Sequence, residues 1–257
     1  MSKIQAAFQN GKAFIPFITC GDPDLETTGR IVRAMEQAGA DLIELGIPFS
    51  DPTAEGPVIQ GANIRALAGG VTTDKIFAFV RELRKDVKVP LVFMTYANVV
   101  FSYGIDRFAA ACAENGIDGL ILPDVPHEEK EEFAPAFRQR GIDFISLIAP
   151  TSEHRVAEIA KDAEGFLYLV SSLGVTGERA EIRTDLETII SNVRANTNIP
   201  VAIGFGISAP EQAANMAAIA DGVIVGSAIV RRIAANGRDA VSEVSAFVSE
   251  MKQAVRH

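Results

Sequence analysis

Three times along the chain a helix-like stretch breaks at a glycine, meets an aspartate two residues on, and runs into an apolar segment. These junctions are Ala38-Gly39-Ala40-Asp41-Leu42, Asn115-Gly116-Ile117-Asp118-Gly119 and Arg140-Gly141-Ile142-Asp143-Phe144. The glycine is a helix C-terminal stop, and the aspartate reads as a hydrogen-bonding group at the junction rather than a reacting one. Short apolar runs rich in β-branched residues recur around them, at 13–19, 42–45, 90–95, 119–122, 144–148, 166–170, 200–203 and 222–225. Each reads as a buried strand, and helical patterns separate them. Helices are expected from Asp24 to about Ala38, from Thr72-Thr73-Asp74 to about Arg84, and over about 106–115, 128–140, from Glu153, 186–195 and from Pro210, then on to the C-terminus. Short extra helices are expected at 3–9, at 57–69 and after strand eight. Eight strand–helix units in 257 residues predict one α/β domain over 1–257, a (β/α)8 TIM barrel. A doubly wound open sheet is the alternative, but no Gly-x-Gly-x-x-Gly follows strand one.

Composition narrows the function classes. The net charge of −9 argues against nucleic acid or an anionic membrane as partner, since both depend on a basic surface. Any phosphate is therefore expected on backbone amides more than on a cationic patch. No apolar run reaches the length of a membrane span, and the first residues lack a signal-peptide core, so the expected location is the cytoplasm. Cys20 and Cys112 form no metal-ligand spacing, and His127, His154 and His257 form no ligand cluster, so no metal site is expected.

In a barrel of this kind, chemistry belongs at the C-terminal strand ends. Strand two carries Glu44, which shares a face with Leu42, while Ile43 and Leu45 share the other. A carboxyl group buried there without a cation would have a raised pKa and could both give and take a proton. Glu55, eleven residues on, could reach the same pocket and take a different acid/base role. The plainer alternatives are that Glu44 pairs with a buried Arg or Lys and that Glu55 caps the next helix. Glycines after strands six, seven and eight (Gly174-Val175-Thr176-Gly177, Gly204-Phe205-Gly206 and Gly226-Ser227) suggest a phosphate site made of loop amides, with the first of these loops as a lid. Phe17, Phe49, Met94, Ile148, Tyr168 and Phe205 fall near strand ends and could line an apolar slot.

The run Leu42-Ile43-Glu44-Leu45-Gly46-Ile47-Pro48-Phe49-Ser50-Asp51-Pro52 with Glu55-Gly56-Pro57 resembles the tryptophan synthase alpha subunit family. Segments along nearly the whole chain agree in order: Phe14 to Thr19, Gly21-Asp22-Pro23, Tyr96-Ala97-Asn98, Asp124-Val125-Pro126, Gly174 to Gly177, Gly204 to Ser208 and Gly226 to Val230. The resemblance implies retro-aldol cleavage of indole-3-glycerol phosphate to indole and glyceraldehyde 3-phosphate, with no cofactor in this chain. It makes Glu44 the proton carrier and Glu55 the carboxylate that meets the indole nitrogen. It makes Gly177, Gly206, Gly226 and Ser227 phosphate-binding positions. Thr176 becomes the lid threonine, and Phe17, Tyr96, Tyr168 and Phe205 line the substrate pocket. It also implies a beta-subunit partner in an alpha2-beta2 tetramer, touching loops 48–57 and 124–130 and carrying the pyridoxal phosphate.

The chain departs from the family pattern in three places. The indole-facing carboxylate is usually aspartate but here is Glu55. Thr53 stands where leucine is common, and Ser172-Leu173 replaces a stretch that often carries arginine. Three alternatives remain at this stage: a free-standing lyase of the same chemistry, a catalytically impaired activating subunit, and another phosphate-binding barrel such as a sugar-phosphate isomerase.

Overall fold

The computed structural model describes residues 1–149, 153–170, 179–204 and 206–256. Its strands are β1 (Ala13–Thr19), β2 (Ile43–Gly46), β3 (Leu91–Met94), β4 (Gly119–Ile121), β5 (Asp143–Ile148), β6 (Leu167–Val170), β7 (Val201–Gly204) and β8 (Gly222–Val225). They close in chain order into a barrel, each strand parallel to both neighbours. The helices are α1 (Lys3–Ala6), α2 (Leu25–Gln37), α3 (Pro57–Ala68), α4 (Thr73–Leu83), α5 (Ala97–Tyr103), α6 (Ile105–Glu114), α7 (Ala134–Arg138), α8 (Glu153–Lys161), α9 (Arg179–Asn196), α10 (Pro210–Ala217), α11 (Ser227–Asn236) and α12 (Val241–Val255). The expected (β/α)8 barrel is the observed one.

Alternation along the strands sorts the side chains into two cores. Ile15, Leu42, Val92, Ile121, Ile145, Tyr168 and Ile224 fill the barrel interior. Ile43, Leu45, Phe93, Leu120, Leu169 and Ile203 face the helices. Glu44, one step from Leu45 and two from Leu42, thus points inward. The N-terminal segment plugs one end: Ile4 of α1 is fully buried in the interior cluster, and the Phe8 ring lies 5.7 Å from that of Phe166. This plug leaves the C-terminal strand ends as the open mouth of the barrel interior.

At the plugged end one device recurs four times. Asp41, before β2, accepts from the N–H of Phe14 in β1 at 2.7 Å. Asp118, before β4, accepts from Leu91 N–H in β3 at 3.0 Å. Glu164, before β6, accepts from Phe144 N–H in β5 at 3.0 Å, and Asp221, before β8, accepts from Val201 N–H in β7 at 2.9 Å. Each acid thereby supplies a partner to an amide near the start of the preceding strand, which must find one somewhere. Each also meets a cation, respectively Lys252, Arg84, Arg138 and Arg194. The spacing by two strands follows from the alternate layering of odd and even strands in such barrels. Asp41 and Asp118 therefore do what their junctions suggest. Asp143 serves no strand amide: its Oδ2 has no partner among the described residues, its carboxyl group meets the Ser2 side chain, and Glu164 serves β5 instead.

Three helices differ from expectation. The stretch expected as one helix over 128–140 is a 3-10 segment (His127–Glu132) followed by the short α7. Within His-Glu-Glu-Lys-Glu-Glu only Lys130 is buried, so no apolar stripe holds a regular helix there. The last helix before β7 begins at Arg179 rather than near 186. The unanticipated α5 follows β3, and the Asp124 carboxylate accepts from its first amide, Ala97 N–H, at 3.0 Å.

Asp41→Ala removes the acceptor of Phe14 N–H and the counter-ion of Lys252, whose side chain is only 7% exposed. It is expected to cost about 3 kcal/mol in urea denaturation, because a buried amide loses its acceptor while a buried ammonium, left with Lys12 O alone, loses its counter-ion. Asp41→Asn keeps an acceptor and should cost distinctly less. Equal stability of Asp41→Ala and wild type would contradict the role given to these junction acids.

Candidate active site

At the open end lies a cavity of about 300 Å³. β1 contributes Phe17, β2 Glu44, β3 Met94, β6 Tyr168 and β8 Ile224. The loop after β2 adds Ala54, Glu55 and Gly56, the loop after β7 adds Gly206, Ile207 and Ser208, and the start of α11 adds Gly226, Ser227 and Arg231.

Glu44 is 0% exposed, and neither carboxylate oxygen has a hydrogen-bond partner among the described residues. In register it sits between Phe17 and Val92. Burial pushes its carboxyl group up to about 8 from an ordinary 4.5, with no cation opposing among the described residues. The alternative of a buried Arg or Lys partner is thus not what is found. Glu44 holds its proton at neutral pH and faces the cavity. Tyr168 is also buried, and its phenol is held well above its ordinary value by burial and then by the charge of Glu44.

Backbone without side chains makes room for these groups. A Cβ on Gly204 would land on the Tyr168 hydroxyl, and one on Gly46 would come within 2.7 Å of Phe17 Cζ. Both rings can lie across the cavity only because the neighbouring strand ends are glycine.

Glu55 is half-buried, and the Asn63 side-chain amide donates to its Oε2 at 2.7 Å. Burial raises its pKa, and the Asn63 bond lowers it in part. Its carboxylate does not cap the next helix: Gly56 is the N-cap and makes no side-chain bond. Asn63 itself was not anticipated, although a signal existed. It falls on the buried stripe Ile59, Ala62, Asn63, Ala66 of α3, where a lone amide asks for a partner. Tyr96 differs from its expected place in the pocket. It is 2% exposed and lies behind the β2 loop, where its hydroxyl accepts from Ala54 N–H at 3.1 Å and its ring stacks 5.3 Å from Phe49. It fastens the loop that carries Glu55 and does not line the cavity.

The far end of the cavity carries the amides expected to hold an anion. At α10, Ser208 and Ala209 N–H are already taken by the Gln212 side chain, at 2.8 and 3.2 Å. At α11 the N-cap is Gly226, with no side-chain bond; Ile229 N–H turns back to Gly226 O at 2.9 Å, which leaves the amides of Ser227 and Ala228 without a partner among the described residues. A helix N-terminus of this kind favours a negative group. Thr176, Gly177 and Phe205, and with them the expected lid, lie outside the described residues.

Other chemistry finds little support. Cys20 is fully buried, and burial holds its thiol far above the range of a reactive thiolate. Among the described residues no three His, Cys, Asp or Glu side chains come together as a metal site. A second cavity, of about 270 Å³, lies on the helix side of β5 beside His127 and Lys130. The ammonium of Lys130 is spent on Ser146 Oγ at 3.3 Å and Asp162 O at 2.8 Å, away from the strand ends.

Residues 4–256 match the family model described as tryptophan synthase alpha chain. The tryptophan synthase alpha chain of Lacticaseibacillus casei is 51% identical over 255 residues, covering 99% of this chain and 96% of that one. That of Alkaliphilus metalliredigens is 50% identical, covering 97% and 95%. Among solved structures, tryptophan synthase subunit alpha from Legionella pneumophila superposes with a TM-score of 0.90 at 38% identity, covering 99% and 98%. A chain of the tryptophan synthase complex from Pyrococcus furiosus superposes with a TM-score of 0.85 at 34% identity, covering 95% and 99%.

The burial of Glu44 has a cost that varies with pH. The folded protein keeps this proton where the unfolded chain has released it, so stability should fall as pH rises from about 4.5 to about 8. Glu44→Gln, which cannot ionise, should lack that part of the decline and be the more stable protein above neutrality. Parallel stability–pH curves for the two proteins would show that Glu44 is not a neutral acid in the fold. Gly204→Ala should lower activity by displacing the Tyr168 ring, and a fully active variant would show that the ring has slack.

Proposed function

The chain belongs to the tryptophan synthase alpha chain family, and on that premise we propose how its residues carry out the alpha reaction. The protein is a carbon–carbon lyase: it cleaves indole-3-glycerol phosphate to indole and glyceraldehyde 3-phosphate. Glu44, neutral at working pH, gives its proton to C3 of the indole ring. The resulting carboxylate takes the proton from the glycerol hydroxyl beside the bond that breaks. The oxygen lone pair becomes the aldehyde, and the bonding electrons return to the ring. Substrate and products balance without water, and the proton on Glu44 is restored.

Glu55 accepts the indole N–H as the ring becomes cationic. The extra methylene relative to aspartate is accommodated by Asn63, which holds the carboxylate from behind. Phe17 and Tyr168 flank the ring. The amides at Gly206, Gly226 and Ser227, with Gly177 and the lid residue Thr176, take the phosphate, and Phe205 completes the pocket. The observation that carries this reading is Glu44: a carboxyl group fully buried on the cavity, with no cation beside it among the described residues.

The reaction needs no cofactor from this chain. We assign the pyridoxal phosphate to a beta subunit that receives the indole in an alpha2-beta2 assembly. The Pyrococcus relative comes from a complex, which supports such a partner. So does Phe101, a large apolar side chain left 70% exposed on α5. No helix among the described residues is long and apolar enough to cross a membrane, and we place the enzyme in the cytoplasm.

Indole release from indole-3-glycerol phosphate, with and without a beta subunit, tests the whole reading. Glu44→Gln is expected to lower cleavage by about ten-thousand-fold, since proton donation and removal fail together. Glu55→Ala should lose about a hundredfold, the scale of one electrostatic contact to a charged intermediate. Turnover close to wild type in Glu44→Gln would refute its role. Lack of activation by a beta subunit would make the protein a free-standing lyase. Absence of cleavage alongside activation of the partner would make it an impaired activating subunit.

A further inference from the structure

Arg231 stands one helical turn beyond Ser227 on α11, so both side chains share a face, and both line the cavity. It is the cavity's one cation among the described residues, and it stands on α11, whereas Glu44 stands on β2. Its neighbour Arg232 is fully engaged, with its guanidinium 3.6 Å from the Phe247 ring centroid and a 2.8 Å bond to Ala228 O. Arg231 is exposed, and the structure gives it no hydrogen bond or ion pair within the described residues. An acidic protein thus keeps an unspent guanidinium beside uncapped helix amides, on a cavity that two carboxyl groups also line.

From this layout we propose that Arg231 is a substrate-binding residue that selects for the phosphate group. Backbone amides hold a phosphate by direction but discriminate weakly between charge states. A guanidinium adds a full charge and a forked donor matched to phosphate oxygens. Carried by α11 and not by β2, it acts on phosphate recognition and leaves proton transfer to Glu44. The inference rests on the phosphate end of the function proposed above. It goes further in giving the cation a share of the selectivity otherwise left to amides.

The test compares wild type, Arg231→Gln and Arg231→Lys in both directions of the reaction. Arg231→Gln should raise KM for indole-3-glycerol phosphate and for glyceraldehyde 3-phosphate about tenfold, as expected for losing one charge-assisted contact at an open site. KM for indole in the reverse reaction should not follow, and kcat should change far less than KM. The KM of wild type should climb with added salt more steeply than that of Arg231→Gln, and Arg231→Lys should recover part of the loss. Phosphate-substrate KM values within about twofold of wild type would overturn the proposal, since uniform binding energy is read directly in KM. An equal rise in KM for indole would overturn it too, as a sign of general damage. Affinity for glycerol 3-phosphate, measured by calorimetry, decides the point apart from turnover. Equal binding by wild type and Arg231→Gln sinks the Arg231 assignment, whereas a wild type that binds it but cleaves nothing sinks the reaction.

Discussion

A carboxyl group enclosed by hydrocarbon, with no cation among the described residues to hold its charge, is the constraint around which this molecule is arranged. Transfer of an ionised carboxylate into such surroundings is so costly that the group keeps its proton instead. The enclosure that makes Glu44 expensive is also what makes it an acid at neutral pH. The junction acids at the other end of the barrel show the contrast. Asp41, Asp118, Glu164 and Asp221 each have an amide and a cation, and they serve as structure. Environment, not residue type, separates the two sets.

The barrel supplies that environment economically. Closure leaves no sheet edge, and alternation turns every second side chain inward. Ile4 and the neighbouring Phe8 seal the lower end, so the interior opens only where Glu44 sits. Phe17 and Tyr168 form the walls because Gly46 and Gly204 yield them space. Asn63 and Tyr96 then fix the loop that brings Glu55 over the cavity. The cavity that results is lined by two carboxyl groups, by uncapped helix amides and by one guanidinium. It matches a substrate with an electron-rich ring and an anionic tail.

Much of this was legible in the sequence because it depends on short periods. The eight apolar runs gave the strands, and the step of two placed Glu44 with Leu42 inside. The family resemblance supplied the reaction. What escaped notice involves partners distant along the chain or groups with no local pattern. Tyr96 read as pocket because it follows β3, yet its hydroxyl turns to Ala54, 42 residues away. Glu164 stands in a junction with no Gly-x-Asp pattern, so its service to β5 could not be seen beside Asp143. The single helix expected over 128–140 failed because its polar run offers only Lys130 to the interior. Arg231 sits in an ordinary amphipathic helix, and only the fold brings it to the mouth of the cavity.

The protonation state of Glu44 can be read directly. Carboxyl-13C glutamate labelling, with the Glu44→Gln spectrum subtracted from wild type, isolates its resonance in a pH titration. The account predicts a midpoint near 8, with the neutral form dominant at pH 7. A midpoint near the ordinary value of 4.5 would mean that the buried group is already ionised in the resting enzyme. Glu44 would then have no proton to deliver, and the mechanism built on it would fail.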